Sequence, residues 1–373
     1  MTTPNGKTIG ICGATGAVGI EIISVLAAHK FPVKQLVLFA SSRSAGKKVD
    51  TAFGEVAISL FSVEKAAKLD YVFLAVSGDF SLQYAKELAA VPNGPVVIDN
   101  SSAFRRHPEI PLVIPEINGH VLIQKDGKPQ PKLIANPNCT TAIAAMALWP
   151  LHCEFGIKKL IVSTYQAASG AGAAGMEELA DGAKAFLADE PVTYKENGYT
   201  KEEMKVTWET RKIFGEPNLA VSCTAARIPI MRAHSEALSI ETVKPVNIAR
   251  AREILAKADG VDLVDEPEKL LYPMPKNATK KFNIEAGRLR KSLVFGDHGL
   301  ELFVSGDQLL RGAALNAVLI AEFLENPRST PQFTKKPTTC SLSKDQQQVV
   351  LGLVAGVAVS AASVLAYGLV KKN

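Results

Sequence analysis

The residue best suited to chemistry is a thiol held in a defined setting. Cys139 follows Asn136-Pro137-Asn138 and precedes Thr140-Thr141 and a long apolar run. Residues 133–135 read as the end of a short strand, Asn-Pro as a breaker, and residues 140–148 as a helix whose free N–H groups and dipole face the thiol. A cysteine at a helix N-terminus ionises below the usual value of about 8.5, and the thiolate is the nucleophile. The competing reading is a small buried hydrophobe, as most free cysteines are. A second chemical signal is Gly13-Ala14-Thr15-Gly16-Ala17-Val18-Gly19, set between the apolar run 8–12 and the helix-length run 20–28. Strand, glycine loop and helix at the first βα turn bring backbone N–H groups to a pyrophosphate, so this is read as a dinucleotide site. The strand at 35–40 ends in Ser41-Ser42-Arg43-Ser44, where an NAD-preferring unit carries an acid. Arg43 can pair with a ribose 2′-phosphate and the serines can donate to it, which favours NADP; a solvated serine-rich loop is the alternative. Asn100-Ser101-Ser102-Ala103-Phe104-Arg105-Arg106 leaves a strand end and reads either as a phosphate cradle or as ordinary surface charge.

The elements needed to position these groups follow from the pattern of the chain. Strands at 71–76 and 96–99 flank a helix at 81–90, and alternating strands and helices imply a parallel sheet. Beyond Cys139 the strands lengthen and the helices between them thin out, which marks a domain boundary. A strand at 158–165 runs into Gln166-Ala167-Ala168-Ser169-Gly170. A polar helix at 201–213 carries Glu202 and Lys205, a strand at 222–231 contains Arg227-Ile228-Pro229, and His234-Ser235-Glu236 precedes an alternating run at 237–243. An amphipathic helix is expected at 308–325. The 373 residues give room for about two domains, and the 47% hydrophobic content is ample for their cores. The net charge of +5 is small, without an aromatic-basic interleave, which argues against nucleic acid and leaves room for anionic small molecules. Five cysteines without Cys-x-x-Cys or Cys/His spacing indicate neither a disulfide framework nor a metal site, and fit a reducing compartment. Residues 1–7 leave no space for a signal or transit peptide.

Taken together, the glycine loop, Asn136-Pro-Asn-Cys139-Thr-Thr, Thr164-Tyr-Gln166-Ala-Ala-Ser-Gly170 and Arg227-Ile-Pro-Ile-Met-Arg-Ala-His234 strongly resemble the aspartate-β-semialdehyde dehydrogenase family, bacterial-type branch, over residues 7–324. The resemblance implies NADP-dependent interconversion of L-aspartyl-4-phosphate with L-aspartate-4-semialdehyde and phosphate, toward lysine, methionine, threonine and isoleucine. It implies Cys139 as nucleophile, His234 as acid/base and Gln166 as the residue orienting the acyl intermediate. Arg227 would grip the substrate carboxylate, Arg105 and Lys205 the phosphate, and Glu202 the substrate amine. Asn138 and the N–H groups opening the following helix are expected to steady the oxyanion. The cofactor set that goes with this reading is Gly13, Thr15, Gly16, Ala17, Val18, Ser41, Arg43, Ser44, Ser77, Ser169, Gly170 and Asn316, the last near the nicotinamide. The chemistry asks for such a set on its own: a thiolate, a proton-transfer group with pKa near 7, and cations for a dianionic acyl phosphate. The implied fold is α/β, a Rossmann-type parallel-sheet NADP-binding domain (1–138 and 309–326) with an α+β catalytic and dimerisation domain (139–308), forming a homodimer or homotetramer. N-acetyl-γ-glutamyl-phosphate reductase is the nearest rival; glycine usually precedes its cysteine, where Asn138 stands here. A glyceraldehyde-3-phosphate-type enzyme lacks support because its Ser-Cys-Thr-Thr-Asn-Cys run is absent. A catalytically idle, membrane-tethered scaffold is the reading from another class.

The carboxyl end adds a separate expectation. Residues 327–348 read as a flexible linker, and residues 349–370 carry no charge before Lys371-Lys372-Asn373. As a helix this stretch would reach roughly 33 Å, enough for a bilayer core of about 30 Å. Gly352, Gly356 and Ser360 fall on one face and would allow close helix contact. A single carboxyl-terminal anchor with the enzyme body facing the cytosol is expected, against an ordinary apolar helix packed on the body or in an oligomer interface.

Overall fold

The computed structural model describes residues 3–123, 130–168 and 197–327. The expected Ser169–Gly170 contact and the carboxyl-terminal helix at 349–370 lie outside them.

The amino-terminal part is built on a seven-stranded sheet. Its strands are β1 (Lys7–Cys12), β2 (Val33–Ala40), β3 (Lys48–Thr51), β4 (Gly54–Leu60), β5 (Tyr71–Leu74), β6 (Val96–Asp99) and β7 (Leu133–Ala135). They lie in the order β3-β4-β2-β1-β5-β6-β7, and every pairing except β3 with β4 is parallel. Buried on both faces, β5 and β6 are short unbroken apolar runs apart from Asp99, as strands covered by helices must be. Helices α1 (Ala17–Ala28) and α2 (Gly78–Ala90) follow β1 and β5. The strand order turns back at β1, where β2 lies on one side and β5 on the other, and the carboxyl edge of such a switch point is where ligands bind.

The second sheet has six strands: β8 (Ile157–Gln166), β9 (Ala220–Arg227), β10 (His234–Thr242), β11 (Val261–Leu263), β12 (Ile284–Ser292) and β13 (Gly296–Gly306), ordered β11-β12-β13-β10-β8-β9. Strand β9 was expected to run to Met231 but ends at Arg227, because Pro229 has no N–H to donate to a ladder. One face of β8, with Leu160, Val162, Thr164 and Gln166, turns inward, while Ile161 and Tyr165 point out. Against the inward face lies α3 (Cys139–Phe155), buried on nearly all sides. It runs well past the expected end near Leu148: Pro150 sits in its interior, and Gly156 at φ 71° closes it. Helix α4 (Lys201–Phe214) opens with a capping box between Thr200 and Glu203 and also closes on a left-handed glycine, Gly215.

The last stretch departs from the single expected helix. A π-helical turn at Leu310–Ala314 precedes α5 (Leu315–Glu325). Asp307 anchors the turn, its Oδ1 accepting from the N–H groups of Leu309 and Leu310. Helix α5 then packs on the first sheet: Leu315, Val318 and Ile320 share a buried cluster with Ile9, Ile11, Ile22 and Leu26. Glu325 accepts from the Tyr71 hydroxyl and pairs with Lys7.

Candidate active site

Cys139 is the first residue of α3, and Asn138 is its N-cap, so the Asn-Pro-Asn turn fixes the direction of the thiol. Asn138 Oδ1 accepts from the N–H groups of Thr140 and Thr141 at 3.0 and 3.3 Å. Those amides were expected to face an oxyanion; the cap already satisfies them. Asn138 Nδ2 donates instead to Glu202 Oε1 at 2.8 Å, which ties the cap to α4.

Strand register assembles the rest. Gln166, the last residue of β8, pairs with Arg227, the last of β9, while Ser235 of β10 lies opposite Tyr165. The ends of three adjacent strands therefore bring Arg227, Gln166 and His234 together beside α3. His234 Nε2 lies 3.3 Å from Cys139 Sγ. Its Nδ1 accepts from the Ala167 N–H at 2.9 Å, and the Ala167 carbonyl accepts from Arg227 Nη1 at 2.6 Å, so one residue steadies both side chains. Gln166 Nε2 donates to Thr140 Oγ1 at 3.2 Å. A cavity of about 270 Å³ opens here, its wall including Val18, Asn100, Arg105, Asn138, Cys139, Gln166, Glu202, Lys205, Arg227 and Gly312.

The two neighbouring arginines have opposite fates. Arg105 is buried, donating to the carbonyls of Asn136 and Asn100 and pairing with Glu209 at 3.3 Å. Arg106 points out and stacks on Trp208, 3.9 Å from the ring centroid. Lys205 pairs with Glu202 at 2.7 Å. Burial pushes the Glu202 carboxyl up, but Lys205 and Asn138 outweigh it and hold the group below the ordinary range. Glu209 was not singled out from sequence. It accepts from the Asn138 N–H at 2.6 Å and braces Arg105, and its spacing from Glu202 and Lys205, seven and four residues along one helix face, was the available signal.

The titration expected of the central pair is not what the geometry gives. The Cys139 thiol is pushed up to about 11, by burial first and then by Glu202, against the lowering pull of Arg105 and Thr140. His234, expected near 7, is lowered to about 3 by burial and then by Arg227. The helix start is overridden because the site is enclosed and its cap occupied.

On the nucleotide side, Gly13 has φ +82°, and a Cβ there would stand 2.1 Å from the Ala75 carbonyl oxygen; one at Gly19 would stand 2.3 Å from the Gly13 oxygen. Only glycine allows this loop, and α1 starts at Ala17 with no side-chain cap on Gly16, leaving an anion-receptive helix end. Thr15 and Gly16 are exposed at that end, and Val18 reaches the catalytic cavity. Ser41, Arg43 and Ser44 form an exposed to half-exposed turn after β2, and Ser77 caps α2 through Phe80. These residues fit a dinucleotide with an additional phosphate. Asn316 is fully buried, its Nδ2 donating to Val113 O and Asn136 Oδ1, which braces the turn beneath Cys139.

Residues 8–125 match the model of a semialdehyde dehydrogenase NAD binding domain, and residues 148–311 that of a semialdehyde dehydrogenase dimerisation domain. Aspartate-semialdehyde dehydrogenase of Synechocystis sp. is 40% identical over 341 residues, 86% of this chain and 98% of that protein. The Bacillus subtilis protein of the same name is 38% identical over 346 residues, again 86% of this chain and 98% of the relative. Among solved structures, aspartate semialdehyde dehydrogenase II complexed with ASA from Vibrio cholerae superposes with a TM-score of 0.79 at 34% identity, over 86% of this chain and 98% of that one. The chain belongs to the aspartate-semialdehyde dehydrogenase family.

Proposed function

We propose that this chain reduces L-aspartyl-4-phosphate to L-aspartate-4-semialdehyde with NADPH, reversibly, through a thioester on Cys139. The observation that carries this is the Cys139 Sγ–His234 Nε2 approach of 3.3 Å on the wall of a cavity that also receives Arg105, Lys205 and Arg227. Cys139 attacks the acyl phosphate carbon and phosphate leaves toward Arg105 and Lys205, whose carboxylate partners Glu209 and Glu202 exchange cations with the ligand. Arg227, exposed and held by one bond to Ala167 O, keeps guanidinium edges for the substrate carboxylate, and Glu202 faces the substrate amine. Gln166 orients the acyl group, and His234 Nε2 assists the collapse that frees the aldehyde. Gly13, Thr15, Gly16, Ala17 and Val18 would hold NADPH, with Ser41, Arg43 and Ser44 at its 2′-phosphate, and the bound cofactor would supply the hydride. The test is NADPH formation from aspartate semialdehyde, phosphate and NADP, with N-acetylglutamate semialdehyde as control. Turnover of the control in place of aspartate semialdehyde overturns the assignment to substrate.

A cofactor domain made of residues 1–138 and 309–326 is supported by the packing of α5 on the first sheet. A homodimer is supported by the dimerisation-domain match and by the outward Ile161 and Tyr165 of β8. For residues 349–370 we propose a membrane anchor on sequence grounds alone; among the described residues no helix is long and apolar enough to cross a membrane. Carbonate extraction of the full chain and of a chain stopped after Gln348 decides it: equal release of both into the soluble fraction ends the anchor proposal.

A further inference from the structure

Ala233, the residue before His234, is fully buried and has φ 71°, a left-handed backbone that an L-residue keeps only where its surroundings hold it. Two groups hold it here. The Ala233 N–H donates to Gln308 Oε1 at 2.8 Å, and the preceding residue, Arg232, is tied down through its side chain. Arg232 Nε donates to Asp307 Oδ2, and its Nη1 donates at 2.6 Å to Oε1 of Glu21, in the second turn of α1. Asp307 is itself fully buried and holds several groups at once. Its Oδ2 also accepts from the Lys280 N–H at 2.6 Å, its Oδ1 caps the π-helical turn, and its carbonyl accepts from the Gly312 N–H at 3.2 Å. Gly312 is the residue of that turn that lies against Cys139. Arg232 is not part of the cavity wall, yet it stands two residues from His234 and one ion pair from the turn that backs the thiol.

We propose that Arg232 is a positioning residue for the reaction: by bridging Asp307 and Glu21 it fixes both the left-handed step that aims His234 and the turn that backs Cys139, and so sets the 3.3 Å approach of Nε2 to Sγ. The proposal rests on Cys139 and His234 being the reacting pair. The bridge uses the planar fork of an arginine, with Nε toward one carboxylate and Nη1 toward another on a different element, where a lysine offers only a point charge. The side chains of Arg232, Glu21 and Asp307 are 17%, 20% and 0% exposed, so solvent and salt screen these pairs less than surface ones. Glu21 makes α1 the outer anchor, and the amino end of that helix is the end read as the dinucleotide site. The reacting pair is thereby aligned to the element that places the cofactor.

Steady-state kinetics of the full chain with aspartate semialdehyde, phosphate and NADP test this in wild type, Arg232→Met, Glu21→Gln, Ala233→Gly and their pairwise combinations, with folding checked by circular dichroism and NADP binding by titration. Arg232→Met should lower kcat on the order of tenfold or more, as misplaced reacting groups do, with KM for aspartate semialdehyde within about twofold of wild type because Arg105, Lys205 and Arg227 are untouched. Glu21→Gln should lower kcat about threefold alone and no further in the Arg232→Met background, since it acts through the same guanidinium. Glycine takes a positive φ without strain, so Ala233→Gly should be close to wild type alone and should return part of the kcat lost in Arg232→Met. Wild-type kcat in folded Arg232→Met, even with a lowered urea midpoint, identifies a purely structural ion pair and overturns the proposal. Independent, multiplying losses from Glu21→Gln and Arg232→Met overturn it too, as does the absence of rescue by glycine. Should Arg232→Met not fold, Arg232→Lys, which keeps a charge beside Asp307 without the fork, takes its place in every comparison. Turnover by Cys139→Ala overturns the nucleophile reading instead. Turnover of N-acetylglutamate semialdehyde in place of aspartate semialdehyde overturns the substrate reading, and the same kcat ratios are then read on that substrate.

Discussion

Cys139 and His234 were singled out by the joint resemblance of four segments to one family; on its own neighbours, the cysteine reads equally as a small buried hydrophobe and the histidine as an ordinary polar residue. Their protonation was not legible, since it depends on enclosure by β8, β9 and α4 and on which donors those elements present. Arg105 and Arg106 make the same point: two adjacent guanidinium groups read alike in sequence, and only the fold sends one to Glu209 and the other to Trp208. The histidine carries a testable consequence. Its pKa is about 3 in the folded chain and near 6.5 when unfolded, so between those values the unfolded state binds the extra proton. Stability from this group is complete above pH 6.5 and is lost as pH falls toward 3, at up to about 1.4 kcal/mol per pH unit. Urea midpoints measured at pH 6.5 and 4.5 should drop less for His234→Gln than for wild type; an equal drop in both would mean that His234 stays protonatable in the fold.

At the scale of elements, β1, β2 and β5 to β10 were read from periodicity and turn residues, β3, β4 and β11 to β13 were not, and the deviations among the elements that were read have local causes. Pro229 stops β9 early, and the π-helical turn interrupts what reads as one amphipathic helix from Gln308 onward. That turn was invisible because its residues keep a helical apolar pattern; what selects it is Asp307 capping two amides and the approach of Gly312 to the nucleophile. A Cβ on Gly312 would stand 2.6 Å from Cys139 Cβ and 2.9 Å from its Cα. Gly312→Ala should therefore displace Cys139 and lower kcat by about a hundredfold, as misplacements of about an ångström do, while the glycine loop still binds NADP. Steady-state kinetics beside an NADP titration measure this, and a variant with wild-type kcat would show that the turn yields without moving the thiol.

One strand, β8, carries an exposed apolar face on one side and residues of the candidate active site on the other. On β8 the side chains alternate, so Ile161 and Tyr165 lie on the outer face, 45% and 39% exposed, while Thr164 and Gln166 lie inside against α3. Tyr165 packs near Phe303 of β13, their ring centroids 6.3 Å apart, which extends the outer apolar surface across the sheet. A twofold dimer formed on this face brings the same patch of both copies together, and Ile161→Asp would put one carboxylate from each against apolar surface. Because Ile161 is exposed in the single chain, the substitution should leave the fold intact and halve the mass seen by light scattering. Tyr165 and Gln166 are consecutive, so loosening the outer face also loosens the strand end that holds Thr140, His234 and Arg227. Turnover should accordingly fall in step with dissociation when the enzyme is diluted, and sooner for Ile161→Asp than for wild type. A fully active monomer would separate the assembly from the site, and an unchanged mass in the variant would put the interface on another face of the molecule.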